Sequence, residues 1–167
     1  MELGTAIIAA AIIFACIIPF VLISRSNKKK EQQFLEMLSN LSEKSNCKIS
    51  KYDIWNNAAI GTDEASSMIF FVKKSGELET HQQINLTKVE KCIVVNTSRT
   101  IINQSDHQKV IDKLELVFSD RDKNKPETAM VLYDANSDSL TLSGELQLAE
   151  KWCKIANDTI ESLKQKP

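Results

Sequence analysis

An uninterrupted run of 22 residues without a charged side chain, from Leu3 to Ser24, constrains this chain more than any other feature. As a helix the run would extend about 33 Å, which is enough to cross a hydrocarbon core of about 30 Å. Its large apolar side chains surround the helix, so no polar face is left to lie along a surface. The run predicts an uncleaved transmembrane helix. A cleaved signal peptide is the alternative, and it is disfavoured because basic residues follow the run rather than precede it.

The charges that flank this run predict its orientation. Arg25, Lys28, Lys29 and Lys30 follow it directly, whereas Glu2 is the one charged side chain before it. Because positively charged flanks stay in the cytoplasm, we expect a single-pass inner-membrane protein with its N-terminus outside and its C-terminal domain in the cytoplasm. The four cations are candidate membrane-surface residues, either as stop-transfer charges or as contacts to anionic headgroups.

Charge and cysteine content exclude several classes of protein. Without Glu2 and the four flanking cations, the net charge falls from −1 to −4, so the rest of the chain is mildly acidic and is not expected to bind nucleic acid. The chain has four cysteines, Cys16, Cys47, Cys92 and Cys153, and no two have metal-ligand spacing. We therefore predict no disulfide framework, no metal site and no cofactor.

The chain divides into three predicted segments. Residues 1–30 are the membrane anchor with its basic flank, and residues 31–46 form an amphipathic stalk helix. The apolar face of that helix is expected to pack on the following domain, the alternative being a separate partner. Residues 47–167 are predicted to form a cytoplasmic β-rich domain that ends in a helix.

The β-rich segment contains short runs of β-branched and aromatic residues separated by turn residues, which is typical of antiparallel strands. Seven such runs are present: Lys48–Ile54, Ala58–Thr62, Ser67–Lys73, Leu78–Leu86, Glu90–Ile101, Val110–Phe118 and Glu127–Tyr133. After Ser143, an apolar stripe at steps of three and four predicts a helix that ends near Leu163 and covers the sheet. The prediction is an α+β fold in which a seven-stranded antiparallel sheet or barrel is closed by a C-terminal helix.

Two resemblances accompany this prediction. The order of elements from Lys48 to Leu163 is similar to the pleckstrin-homology-like barrel, but the first hairpin, DIWNNAAIG, lacks the cations with which such barrels bind inositides. The strings YDIWNNAAIGTDE, VVNTSRT, IDKLELVF, KNKPE and LTLSGELQLAEKW together resemble an uncharacterised family of small single-pass bacterial membrane proteins. That resemblance implies a bacterial inner-membrane setting and no particular activity.

The sequence shows no constellation of catalytic residues. Its two histidines, His81 and His107, have no ligand-spaced neighbours, and no phosphate-binding or nucleophile motif is present. We therefore predict that the protein is not an enzyme.

Two groups of residues are candidates for binding. Trp55, Asn56 and Asn57 form a predicted turn whose tryptophan is either an exposed anchor or part of the core. Arg99 could bind a carboxylate or phosphate in a bidentate manner, or it could form a structural ion pair.

These observations predict a membrane-tethered scaffold or adaptor module without enzymatic activity. The alternative is a sensor that binds a small molecule or lipid in a cavity between the sheet and the C-terminal helix. The expected partners are the lipid bilayer and an unidentified protein. Small residues at Ala6 and Ala10, and at Ala11 and Ala15, also suggest a homodimer.

Overall fold

The computed structural model describes residues 28–103, 106–138, 142 and 144–165, and these residues contain two helices and seven strands. Helix α1 covers residues 28–43. The strands are β1 (Lys51–Trp55), β2 (Ala58–Asp63), β3 (Met68–Ser75), β4 (Leu78–Asn85), β5 (Val89–Asn103), β6 (Asp106–Asp120) and β7 (Thr128–Asp134), and helix α2 (Glu145–Gln165) follows.

The strands form two antiparallel sheets rather than one. Sheet A contains β1 to β4 in chain order, and sheet B contains β5 to β7 in chain order. Between β4 and β5, the 3-10 turn Leu86–Lys88 redirects the chain, and the Asn85 side chain caps it by accepting a hydrogen bond from the Thr87 N–H. The prediction of a single seven-stranded sheet or closed pleckstrin-homology-like barrel is therefore wrong, since β4 does not pair with β5.

The larger hydrophobic core lies between the two sheets and α2. Helix α2 contributes one buried stripe, formed by Ala149, Trp152, Ala156 and Ile160. Each sheet contributes the residues of one face, which are Ala58, Ile60, Ile69, Phe71 and Ile84 from sheet A and Leu114, Leu116, Phe118, Met130 and Leu132 from sheet B. Burial of this apolar surface is the main stabilising contribution to the fold.

A second core lies on the opposite face of sheet A, where α1 packs. Phe34 and Leu38 of α1 contact Phe70 and Val72. The helix approaches so closely that a methyl group on Gly61 would come within 2.7 Å of Leu38 Cδ2. Strand β2 and the first part of β3 are thus buried on both faces, which explains the unbroken apolar runs AAI and MIFFV.

The predicted single-pass inner-membrane protein needs correction. Within the described residues, neither α1 nor α2 combines the length and apolarity that a membrane crossing requires. Each of these helices carries an apolar stripe on one side and charged residues on the other, as expected for a helix that covers a sheet. The predicted span Leu3–Ser24, the small residues within it and Arg25 lie outside the described residues.

Candidate functional site

Strand β1 is an open edge of sheet A. It pairs with β2, and within the described part of the chain no strand lies on its other side. A two-residue turn at Asn56 and Asn57 places the pair Trp55–Ala58 in hydrogen-bonded register. Because bonding alternates along an antiparallel strand, the backbone N–H and C=O groups of Tyr52 and Ile54 point away from β2.

Clefts open on both sides of this edge. One of about 430 Å³ lies between the start of α1 and the β1–β2 turn, and it is lined by Lys30, Trp55 and Asn56 among others. A second of about 500 Å³ lies between α1 and β1, and a third of about 300 Å³ lies between β1 and α2. Tyr52, which is 44% exposed, lines both the second and the third. We call the outer edge of β1 together with these three clefts the β1 groove.

The α2 wall of the groove is fixed by one carboxylate of β1. Asp53 Oδ2 accepts hydrogen bonds from Trp152 Nε1 at 2.8 Å and from Lys151 Nζ at 2.6 Å. The buried indole thereby has a partner for its N–H group. Since the contact uses a side chain, it holds α2 beside β1 and leaves the outward backbone groups of β1 free to bind.

A cluster of polar side chains holds the β1–β2 turn, and we call it the turn cluster. Asn57 Nδ2 donates to Asp138 Oδ1 at 3.1 Å and to the Lys74 carbonyl at 2.6 Å. Asp138 Oδ2 also accepts from Lys73 Nζ at 2.7 Å, and both side chains of this ion pair are buried. Asn56 Nδ2 donates to Glu145, the first residue of α2. The cluster thus ties the turn to the start of α2.

The pKa shifts in the turn cluster are those expected of side chains that stabilise the fold. Burial opposes ionisation of Asp138, but hydrogen bonds from Lys73, from the Asp134 backbone and from Asn57 outweigh it and lower the pKa of the carboxyl. Burial also raises the pKa of Tyr133, and the nearby charges of Asp138 and Glu145 raise it further. These groups keep their ordinary ionisation states at neutral pH, so they offer no acid or base poised for catalysis there.

The outer edge of β5 in sheet B differs from that of β1, because α2 binds its backbone at Cys92. Asn157 Oδ1 accepts from the Cys92 N–H at 2.9 Å, and Asn157 Nδ2 donates to the Cys92 carbonyl at 2.9 Å. The carboxamide therefore takes the place of a neighbouring strand at this residue. Cys153 Sγ also donates to the Cys92 carbonyl, at 3.3 Å.

The structure places some of the predicted site residues together. Trp55 is half-buried and packs on Phe71 with 6.2 Å between ring centroids, so it joins the core and also lines the groove. Asn56 and Asn57 belong to the turn cluster. Lys30, predicted to face a membrane surface, lies in the same cleft as Trp55 and Asn56.

The remaining predicted residues lie apart from this group. Arg99 is on β5 in the other sheet, 63% exposed, with its Nε 3.2 Å from Asp112 Oδ1. Lys28 and Lys29 are exposed at the first described residues of α1. Arg25 lies outside the described residues, so its role as a membrane-surface residue stays a prediction.

Sequence reasoning missed the residues that form the middle of the groove. Tyr52, Asp53 and Lys151 were not singled out, and Trp152 (like Ala149 and Ile160) belongs to the apolar stripe that predicted the C-terminal helix. A signal was available, because the segment KYDIW is more polar than the AAIGTD and MIFFV segments that follow it. Polar and charged residues are typical of edge strands.

Within the part of the chain that the structure describes, no group of three or more side chains is placed to hold a metal ion. Comparison with protein-family models, with curated proteins and with solved structures finds no match to this chain. The resemblance to an uncharacterised family of small bacterial membrane proteins therefore stays a prediction, whereas the two separate sheets contradict the pleckstrin-homology-like barrel.

Proposed function

We propose that this protein is a non-enzymatic interaction module that binds a segment of another protein in the β1 groove. One observation carries the proposal: among the described residues no strand covers the outer edge of β1, which has a cleft on either side, whereas α2 caps the edge of β5 at Cys92. An exposed strand edge is a template for pairing with another chain, and proteins commonly cover it. An edge that is flanked by clefts and left open is suited to binding.

The lining of the groove supports a protein ligand. The cleft between α1 and β1 is lined by apolar side chains, among them Leu35, Ile49 and Tyr52, together with serine and charged residues. Protein interfaces have this arrangement, with an apolar centre and a polar rim. Tyrosine is also enriched among the residues that dominate binding energy.

The alternative, a ligand held between sheet and C-terminal helix, has less support. Trp152 and Leu116 are fully buried there and fill the space between sheet B and α2. The cleft that α2 forms with β1 opens at the surface and belongs to the groove.

Selection of random peptides displayed on phage tests the proposal. Peptides enriched on the full-length protein are expected to lose binding to a Tyr52→Asp variant, which places a charge in the groove. They should retain binding to Leu78→Asp. Leu78 is the matched control, because it is an exposed apolar residue, 77% accessible, on the opposite edge strand of the same sheet.

The proposal would be overturned by either of two results. One is that no peptide is enriched on the wild-type protein. The other is that the enriched peptides bind Tyr52→Asp and wild type equally well. Thermal unfolding of both variants confirms that the comparison is between folded proteins.

A further inference from the structure

We infer that the segment bound in the β1 groove is an extended strand that adds to sheet A beside β1, with apolar side chains facing α1 and acidic side chains facing α2. This inference rests on the proposed function and specifies its ligand. It has three parts, which concern the backbone, the α1 side of the groove and the α2 side.

The outward backbone groups of β1 favour a strand over a helix as the ligand. Tyr52 and Ile54 each direct one N–H donor and one C=O acceptor outward from the edge of sheet A. An α-helix satisfies its own backbone groups internally and cannot pair with these, whereas an extended segment pairs with all of them. Because β1 has five residues, the complementary segment is also short.

On the α1 side, the groove selects apolar side chains. Neighbouring residues on adjacent strands point to the same face, so every second residue of the added strand lies beside Tyr52 and Ile54. Leu35 and Ile49 line the cleft on that face. Apolar side chains at these alternate positions would be removed from water against them.

On the α2 side, the charges favour acidic side chains. Lys51 and Lys151 line this cleft together with Asp53. The Asp53 carboxylate already accepts two hydrogen bonds, from Trp152 and Lys151. Each ammonium group already has one carboxylate partner, since Lys151 Nζ contacts Asp53 and Lys51 Nζ lies 2.6 Å from Glu64. An ammonium group has three donors, so it can also bind an incoming carboxylate. Because two cations and one anion line this cleft, we expect it to favour acidic over basic side chains.

The first experiment uses synthetic peptides about seven residues long that alternate valine and glutamate, titrated into the full-length protein and followed by the backbone amide signals of Tyr52 and Ile54. In any strand, the amides of alternate residues point to opposite sides. N-methylation of one alternate set should weaken binding about tenfold or more, as expected for the loss of two or more hydrogen bonds. N-methylation of the other set should leave binding unchanged.

Two further peptides test the side chains. Replacing glutamate by lysine should weaken binding about threefold, the size of an exposed ion-pair effect, and added salt should reduce the difference. Replacing valine by serine should abolish detectable binding, because the apolar contact is lost.

The second experiment changes the protein. Tyr52→Pro removes an outward N–H group and leaves the bonds between β1 and β2 in place, and it should abolish peptide binding. Glu79→Pro makes the same change on β4, the other edge strand of sheet A, because the backbone N–H of Glu79 points away from β3. The Glu79→Pro variant should bind the peptide as the wild type does. Tyr52→Val keeps the outward N–H and separates the backbone effect from the loss of the ring. It should bind more tightly than Tyr52→Pro.

The outcomes separate this inference from the proposed function. Equal effects of both N-methylated sets, or binding that is indifferent to Tyr52→Pro in a folded variant, would overturn the strand-addition mode. If the valine–glutamate peptide fails to bind while phage selection yields peptides sensitive to Tyr52→Asp, the inference is wrong and the proposed function stands. If selection also yields none, both are wrong.

Discussion

Strands β1 and β5 are the first strands of their sheets, and helix α2 lies beside the outer edge of both. At β5, α2 presents Asn157, whose carboxamide bonds both backbone groups of Cys92. At β1, α2 presents Lys151 and Trp152, which bond the Asp53 side chain and no backbone group. The β5 edge is therefore capped by α2 at Cys92, whereas α2 supports β1 without binding its backbone.

This difference shows that an open edge need not be a flexible one. The end of β1 is held by the turn cluster, and its face is held by α1 through the second core. A binding surface that is already rigid loses less conformational entropy when its ligand binds. Substitutions that remove the contacts supporting each edge therefore test this comparison.

Asp138→Ala should destabilise the fold most, because it leaves the buried Lys73 ammonium group without its partner. Removing one member of a buried ion pair costs about 3–5 kcal/mol. Denaturant unfolding measures the loss. Replacing both residues by apolar ones, Lys73→Met with Asp138→Leu, should recover part of it, because Asn57 and the Asp134 N–H still lose their acceptor. A double variant no more stable than Asp138→Ala would contradict this explanation.

Asn157→Ala should open the second edge. It leaves the Cys92 N–H without a partner and the Cys92 C=O with the Cys153 thiol alone, at a cost of about 2 kcal/mol. The newly open strand should also cause association that increases with protein concentration, as measured by sedimentation velocity. Asp158→Ala is the matched control, because Asp158 is exposed on the same turn of α2. Equal behaviour of the two variants would show that Asn157 does not protect the edge.

Gly61→Ala should displace α1, the other wall of the groove. The added methyl group would lie 2.7 Å from Leu38 Cδ2 and 3.1 Å from Ile49 Cγ2. Overpacking of this kind costs about 1–3 kcal/mol. In a Leu38→Ala background the same substitution should cost less, since the clash is relieved, and a double-mutant cycle measures the coupling. Additive effects would mean that α1 does not pack on Gly61 as described.

The smallest expected effect is on the pH dependence of stability. It depends on Asp63, which holds the segment that leads into β1. Asp63 accepts from the Lys48 backbone N–H, from Ser66 and from Ala65, and these bonds lower the pKa of the carboxyl below its ordinary 3.8 despite burial. A lowered folded-state pKa stabilises the fold above the unfolded value, and this stabilisation is lost as pH falls through the folded value.

We therefore expect the free energy of unfolding to be constant above about pH 5 and to fall below it, with Asp138 contributing in the same direction. Because asparagine does not ionise in this pH range, the free energy of unfolding should fall less steeply below pH 5 in the Asp63→Asn variant. An acid transition that is unchanged in Asp63→Asn would show that another group controls it.

Part of the fold could be read from the sequence, because hydrophobic periodicity reflects local geometry. Each of the predicted runs overlaps an observed strand, and the stripe from Ala149 to Ile160 is the buried face of α2. The grouping of strands into two sheets was missed, because alternation does not show which strands pair. The site was only partly found: Trp55, Asn56 and Lys30 line the groove, but Arg99 lies in the other sheet.

The sequence by itself determined where strands and helices form and which side chains are apolar, since both depend on neighbours along the chain. Only the tertiary structure decided which edge is open. That property depends on whether a residue as distant as Asn157 reaches Cys92 and on the fact that no described residue reaches the outward backbone groups of Tyr52. Hydrogen bonds between residues far apart in sequence leave no periodic trace, so three-dimensional packing alone reveals them.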